Sequence, residues 1–371
     1  MRSDHISSDI ENVIKEFLES LERRIDKNKQ STGQRSIILD VSDHMKRVAV
    51  ATISLQVYKK DSANFDADHS RWVIRSSQGT ASLLNPVRKL ALALPFLRPI
   101  VSRLSFKSNR AIGTRLMRAI EERRVSGEND ITREKPNSRT SANGVASNGS
   151  VRHASPKRRI IDIFLDKLKK NAITFEEFVC TSYFLILAAS DSTSSTATCI
   201  FWHLAQNTDI QTKLRDSLIS EGIDADYVLW CIMEAVRWHP PAPLGTGRII
   251  TEDITTKDGI LIPKGSYVMP STYSIHHDDS IWPAAGKFIP ERWRYQSEFH
   301  PAAFLGFGLG PRYCVGKNMA IYQLKLIIQA VLTRYRIERC DETVTEFKFV
   351  SPGMIWTLPE KPVLLRFTPL N

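Results

Sequence analysis

Nothing in this sequence pairs its cysteines. The five of them (Cys180, Cys199, Cys231, Cys314 and Cys340) lie scattered through 371 residues with no CxxC spacing. That argues against a disulfide framework and against a zinc ribbon. Long apolar runs are missing too. The best stretch, residues 178–190, contains Thr181 and Ser182 and is too short to span a bilayer. Residues 1–28 are polar and helix-like, without the apolar centre of a signal peptide, so no membrane anchor is expected in this chain. No nucleic-acid-binding motif accompanies the net charge of +11 (51 Lys+Arg against 40 Asp+Glu), and nucleic acid is not expected as a partner. Such charge also suits an acidic redox protein or an anionic membrane surface, or simply a solvated surface. No internal repeat is present.

What is there is an ordinary globular balance, 42% hydrophobic and 25% charged, enough for a sizeable core. Residues 8–27 carry Ile10, Val13, Ile14, Phe17, Leu18 and Leu21 at helical spacing. Further helices are expected over 40–58, 109–124, 160–170, 174–206 and 225–238, and prolines break 83–104 into short ones. The helix ending at 238 stops because His239-Pro240-Pro241 cannot continue it. Short strands fit 259–262 and 267–269, and a last long helix fits 315–334. Residues 126–157 are poor in large apolar side chains and rich in Ser, Asn, Gly and Arg. They cannot bury enough area to offset chain entropy and read as a flexible low-complexity insertion within one domain spanning 1–371. The Asn148-Gly149-Ser150 sequon inside it reads as accidental.

The informative segment is Phe307-Gly308-Leu309-Gly310-Pro311-Arg312-Tyr313-Cys314-Val315-Gly316, just before that last helix. Every part of it has a use if a flat macrocycle lies against it. Gly308 and Gly310 lack a Cβ and let the backbone turn tightly beneath a ring. Arg312 is a permanent cation able to pair with a propionate. Cys314, placed where a helix begins, would meet unpaired backbone N–H groups that favour the thiolate. Gly316 leaves room under the ring, and Phe307 can shield the sulfur from water.

Taken together, this segment resembles the haem-binding loop of the cytochromes P-450, the family in which a Cys thiolate is the axial iron ligand. Upstream residues extend the resemblance. Glu234 and Arg237 match the family's E-x-x-R helix, and Arg292 in Phe288-Ile289-Pro290-Glu291-Arg292-Trp293 matches the Arg completing a buried structural triad, with Trp293 where the family has Phe. Arg248 resembles the residue that often holds the second propionate; a solvated Arg is the alternative. His276-His277-Asp278 fits an H-x-D segment, with two histidines read as exposed but structural. Ala188-Ala189-Ser190-Asp191-Ser192-Thr193 resembles the oxygen-handling signature, in which an acid–alcohol pair relays protons. Ala189 replaces the usual Gly and Ser192 the usual Thr; Thr193 substitutes only if the helix turns, and hydroxyls bonded back to helix carbonyls are the alternative.

The resemblance runs from about residue 160 to the C-terminus and more weakly over 9–58, where helices D and E of the family align. The family's anchor, most of a β-sheet and a haem-contacting W-x-x-x-R helix have no counterpart. It implies a mainly α fold with small β-sheets, a cytochrome P-450 fold lacking its N-terminal portion. It also implies haem b (iron protoporphyrin IX) on Cys314, electrons from an NADPH-dependent flavoprotein reductase, and transfer of one atom of O2 to an apolar small-molecule substrate. The substrate would meet the side of residues 185–193, with 243–245 and 354–356 as contacts, and Lys317 and Lys325 would face the reductase, with simply solvated lysines as the alternative. The implied location is the endoplasmic reticulum membrane surface. Two other readings stand beside it: a haem-thiolate isomerase or lyase acting on peroxides, motivated by Ala189 and Ser192, and a non-catalytic truncated haem-binding product.

Overall fold

The computed structural model describes residues 4–58, 159–298, 300, 302–350 and 357–370. The elements expected over 83–104 and 109–124, the insertion at 126–157 with its sequon, and the contacts at 354–356 lie outside the described residues.

Helix α1 (Asp4–Thr32) extends the expected helix at both ends. Its face is set by Ile10, Val13, Ile14, Phe17, Leu18, Leu21 and Ile25, all buried at spacings of three and four. Strand β1 (Ile37–Asp40) leads directly into α2 (Val41–Tyr58). Asp40 makes the junction: its Oδ1 accepts the Ser42 N–H at 3.0 Å and the Asp43 N–H at 3.4 Å, occupying donors that the helix start leaves unpaired. Then come α3 (Ile160–Lys169), α4 (Phe175–Gln206), α5 (Thr208–Ser220) and α6 (Asp226–Trp238). Helix α6 buries Tyr227, Val228, Ile232, Glu234 and Arg237 on more than one face, as a helix inside the core must.

Four short strands follow: β2 (Arg248–Ile249), β3 (Ile254–Thr255), β4 (Leu261–Ile262) and β5 (Tyr267–Val268). They pair antiparallel as β2 with β5 and β3 with β4. The first pair leaves Ile249 and Tyr267 about two-thirds exposed, at 68% and 64%, so this small sheet presents an apolar edge. Helix α7 (Thr272–His276) precedes two 3₁₀ segments, Pro290–Glu298 and Gly310–Arg312. Helix α8 (Lys317–Leu332) is followed by β6 (Tyr335–Glu338), β7 (Phe349–Val350), β8 (Leu358–Pro359) and β9 (Leu364–Pro369). β9 lies between β1 and β6 in a three-stranded antiparallel sheet, with Ile37 opposite Phe367 and Ile337 opposite Phe367 on the other side. The architecture is mainly α with small antiparallel sheets.

Contacts divide the chain into two compact units. The smaller, among the described residues, is 4–9, 54–58 and 159–186. Asp9 ties its three segments together, accepting from Gln56 Nε2 at 2.7 Å and from Arg159 Nη2 at 3.1 Å. The larger holds 10–53 and 187–370, and all the site residues named below lie in it.

Candidate functional site

The cysteine loop is built on its own backbone bonds. The Gly308 N–H donates to Leu305 O at 2.9 Å, the Tyr313 N–H to Gly310 O at 3.1 Å, and the Cys314 N–H to Phe307 O at 2.7 Å. Gly308 and Gly310 take φ of +71° and +66°, a region that costs residues with a Cβ. One steric requirement was not anticipated: a Cβ on Gly306 would lie 2.3 Å from Val236 Cγ1, so the loop can approach α6 only with glycine there. The helix expected from 315 starts instead at Lys317, with Gly316 as its cap, and Cys314 stands three residues ahead of it.

Cys314 is exposed, and its neighbours are unusually bare for apolar residues: Val315 is 92% exposed, Tyr313 61% and Leu309 50%. Arg312 is exposed on the same loop. Phe307 packs beneath, against a buried cluster of Met233, Trp282, Ala285, Trp293 and Ala303, with Lys317 Nζ 5.5 Å over its ring. Arg248 is exposed on β2 and donates through Nη1 to the carbonyls of Thr246 (3.0 Å) and Gly247 (2.9 Å). The donor set fits a haem. It offers a soft sulfur ligand, a bare apolar rim for a flat ring, and exposed guanidiniums for carboxylates.

Under the loop lies a carboxylate with five donors. Glu234 Oε1 accepts from Arg237 Nη2 (2.9 Å), Ile289 N–H (2.9 Å) and Arg292 Nε (3.1 Å). Its Oε2 accepts from Arg237 Nε (2.9 Å) and Trp293 Nε1 (3.0 Å). The side chains of Glu234 and Arg237 are fully buried and that of Arg292 nearly so. The structure thus brings Glu234, Arg237 and Arg292 together. Trp293, which replaces a phenylalanine in the family pattern, supplies an indole donor that no phenylalanine has. Arg237 also donates through Nη1 to the carbonyl of His276 (2.7 Å) and through Nη2 to those of Ala285 (3.0 Å) and Lys287 (3.1 Å). The reading of two exposed histidines is corrected here: His276 is completely buried, because its ring fills the space beside this cluster, while His277 is partly exposed.

On α4, Asp191 is buried and forms an ion pair with Lys46 of α2. Burial pushes the Lys46 ammonium down from 10.5 to about 7. Lys46, between Met45 and Arg47 on a helix otherwise rich in apolar residues, was the trace of this partner in the sequence, and sequence reasoning missed it. Ser192 Oγ donates to Ala188 O at 2.6 Å, the back-bonded arrangement weighed as the alternative, and Thr193 is buried. Ala188, Ala189 and Ser192 form a less buried stripe on a helix whose flanking Ser190, Asp191 and Thr193 are buried. Of the two lysines expected to face a reductase, Lys325 is paired with Asp224 at 3.2 Å.

Comparison with known proteins shows the family of the chain. The sequence model of the family described as Cytochrome P450 matches residues 1–367. Among curated proteins, the chain is 31% identical over 213 residues to Cytochrome P450 3A31 of Mesocricetus auratus, covering 53% of this chain and 41% of that protein. It is 32% identical over 215 residues to Cytochrome P450 3A12 of Canis lupus familiaris (53% and 41%) and 32% over 219 residues to Cytochrome P450 3A2 of Rattus norvegicus (55% and 42%). The match spans about two-fifths of the length of these relatives.

Proposed function

The chain belongs to the cytochrome P450 family, and from that premise we propose that it is a haem-dependent monooxygenase with its iron on Cys314. The observation that carries this reading is the exposed Cys314 at the end of a glycine turn, beside bare Leu309, Tyr313 and Val315. The cofactor is haem b, iron protoporphyrin IX, which when bound supplies the metal at which O2 is activated for insertion into an apolar organic substrate. Cys314 holds it through sulfur, Gly308 and Gly310 let the backbone come close, and Phe307 closes the underside of the loop. Arg312 and Arg248 neutralise its carboxylates.

The chain's own residues then govern protons and water. Asp191 and Lys46 hold an ion pair inside the protein, beside the buried hydroxyls of Ser190, Thr193 and Ser194. Ser192, whose hydroxyl hydrogen is directed to Ala188 O, keeps lone pairs to accept a proton donor, and Thr193 adds a second hydroxyl one residue on. Electrons come from an NADPH-dependent flavoprotein reductase at a basic face that includes Lys317. The reaction takes place at the endoplasmic reticulum membrane surface; among the described residues no helix is long and apolar enough to cross a membrane.

The Ser192–Ala188 bond also favours a second reading, a haem-thiolate isomerase or lyase that rearranges peroxides and needs no proton delivery. One experiment separates them. Haem-loaded full-length protein is given an apolar substrate panel with reductase, NADPH and isotope-labelled dioxygen, and separately an organic hydroperoxide alone. The monooxygenase reading expects label in the product only when reductase is present, and a drop of roughly tenfold or more in Asp191→Asn. Unlabelled rearrangement of the hydroperoxide, unaffected by Asp191→Asn, would support the isomerase and remove the monooxygenase.

A further inference from the structure

We propose that His276 is a positioning residue that fixes the cysteine loop to the buried carboxylate cluster, and so sets where the sulfur of Cys314 sits. The inference rests on Cys314 being the haem ligand only for its consequence, not for its geometry.

His276 closes helix α7 and is fully buried. Its Nδ1 lies 3.1 Å from the carbonyl oxygen of Arg237, which can only accept, so Nδ1 carries the proton. Nε2 is then a bare lone pair, and it accepts the Leu305 N–H at 2.8 Å. Both ring nitrogens are thereby assigned by their partners. The carbonyl of the same residue receives Arg237 Nη1 at 2.7 Å, so His276 and Arg237 are joined twice. The ring stacks on Phe304, with centroids 5.2 Å apart and planes 1° from parallel, and lies edge-on to Trp282 at 6.2 Å. Burial pushes its pKa down to about 3, in keeping with a neutral ring whose second nitrogen accepts.

From Leu305 the connection runs on through the loop. Leu305 O accepts the Gly308 N–H at 2.9 Å, and Phe307 O accepts the Cys314 N–H at 2.7 Å. A continuous path of bonds therefore leads from Glu234 through Arg237 and His276 to the backbone of the loop. The Leu305 N–H is a partly buried donor whose partner is this fully buried imidazole; with no acceptor there, the loop would have to move to find another. A Phe at 276 would keep the stacking in a somewhat larger ring and lose both ring-nitrogen bonds. A Gln would lose the stacking and keep an acceptor.

The test uses full-length protein. Amide hydrogen exchange is followed at Leu305 and Cys314 without haem, with Ile327 and Ile328 of α8 as internal controls. The carbon-monoxide difference spectrum is then taken with haem. In His276→Phe, exchange at Leu305 and Cys314 should rise at least tenfold while the α8 amides stay unchanged, and part of the thiolate-type band should give way to a non-thiolate band. His276→Gln should recover most of both. Exchange at Leu305 and Cys314 unchanged in His276→Phe, or a Gln variant no better than Phe, would overturn the proposal. Should His276→Phe not fold, His276→Leu against His276→Gln makes the same comparison, since only the amide can accept. Wild-type protein with no thiolate band, but with the exchange effect intact, would count against the ligand assignment and leave the positioning role standing.

Discussion

Replacing Glu234 by Ala is expected to cost about 3–5 kcal/mol of stability and to leave little protein able to take up haem. The reason is the company this carboxylate keeps. Arg237 has no exposed side-chain surface and Arg292 only 7%, and both direct guanidinium N–H groups at Glu234. Two guanidiniums around one carboxylate already leave a net positive charge inside, made tolerable by the carbonyls of His276, Ala285 and Lys287 on Arg237 and of Pro283 and Ala284 on Arg292. Removal of the carboxylate strands both cations and also deprives Ile289 N–H and Trp293 Nε1 of their acceptor. Against a total of about 5–15 kcal/mol for a typical domain, that is a large fraction. Denaturant unfolding checks it. Glu234→Gln, which keeps one carbonyl oxygen, should fall between wild type and Ala, and a Glu234→Ala protein within about 1 kcal/mol of wild type would contradict the reading of the cluster as the loop's foundation.

A second large effect is expected at the Lys46–Asp191 pair, and it carries a pH signature. Burial already holds the folded pKa of Lys46 near 7 with Asp191 in place, against 10.5 for an unperturbed lysine, and Asp191→Asn, by removing the counter-ion, pushes it in the same direction. Between those values the unfolded chain binds the proton that the folded chain has released. Stability therefore rises with pH across that window, at up to about 1.4 kcal/mol per pH unit. Below the folded pKa both states are protonated, and the whole cost of burying the charge is felt. The Asp191→Asn variant should be at its least stable at neutral to mildly acidic pH and gain stability toward pH 10. The double variant Lys46→Met/Asp191→Leu should lose that rise and approach wild-type stability, as apolar replacements of buried pairs commonly do. Unfolding curves at several pH values decide it. An Asp191→Asn protein whose stability does not climb above pH 7 would mean that Lys46 is hydrated, not buried against α4.

The helices were legible because their signals are local. The spacing of Ile10 to Ile25 writes the buried face of α1, and Pro240-Pro241 ends α6 where the chain must turn. The glycine–cysteine motif at 307–316 could be recognised for the same reason, since Gly308 and Gly310 sit where φ is positive. What stayed hidden depends on partners far away in the chain. Strand β1 is four residues that become a strand because β9 lies beside them, with Asp40 opposite Leu364. Helix α5 passed unnoticed among polar residues, its inward face supplied by Gln211, Leu214 and Leu218. The burial of His276, the donor role of Trp293 and the pairing of Lys46 with Asp191 follow from tertiary neighbours that no window of sequence contains. Gly306 falls in the same class, needed because Val236 approaches from another element.

The account turns on sulfur ligation by Cys314, and the carbon-monoxide difference spectrum of the reduced, haem-loaded full-length protein reads that ligation directly. Wild type should give the red-shifted Soret band of a thiolate complex, and Cys314→Ala should lose it while a variant at Cys340, which contacts Thr343 and Leu364 elsewhere, keeps it. The same thiolate band surviving in Cys314→Ala would contradict the assignment.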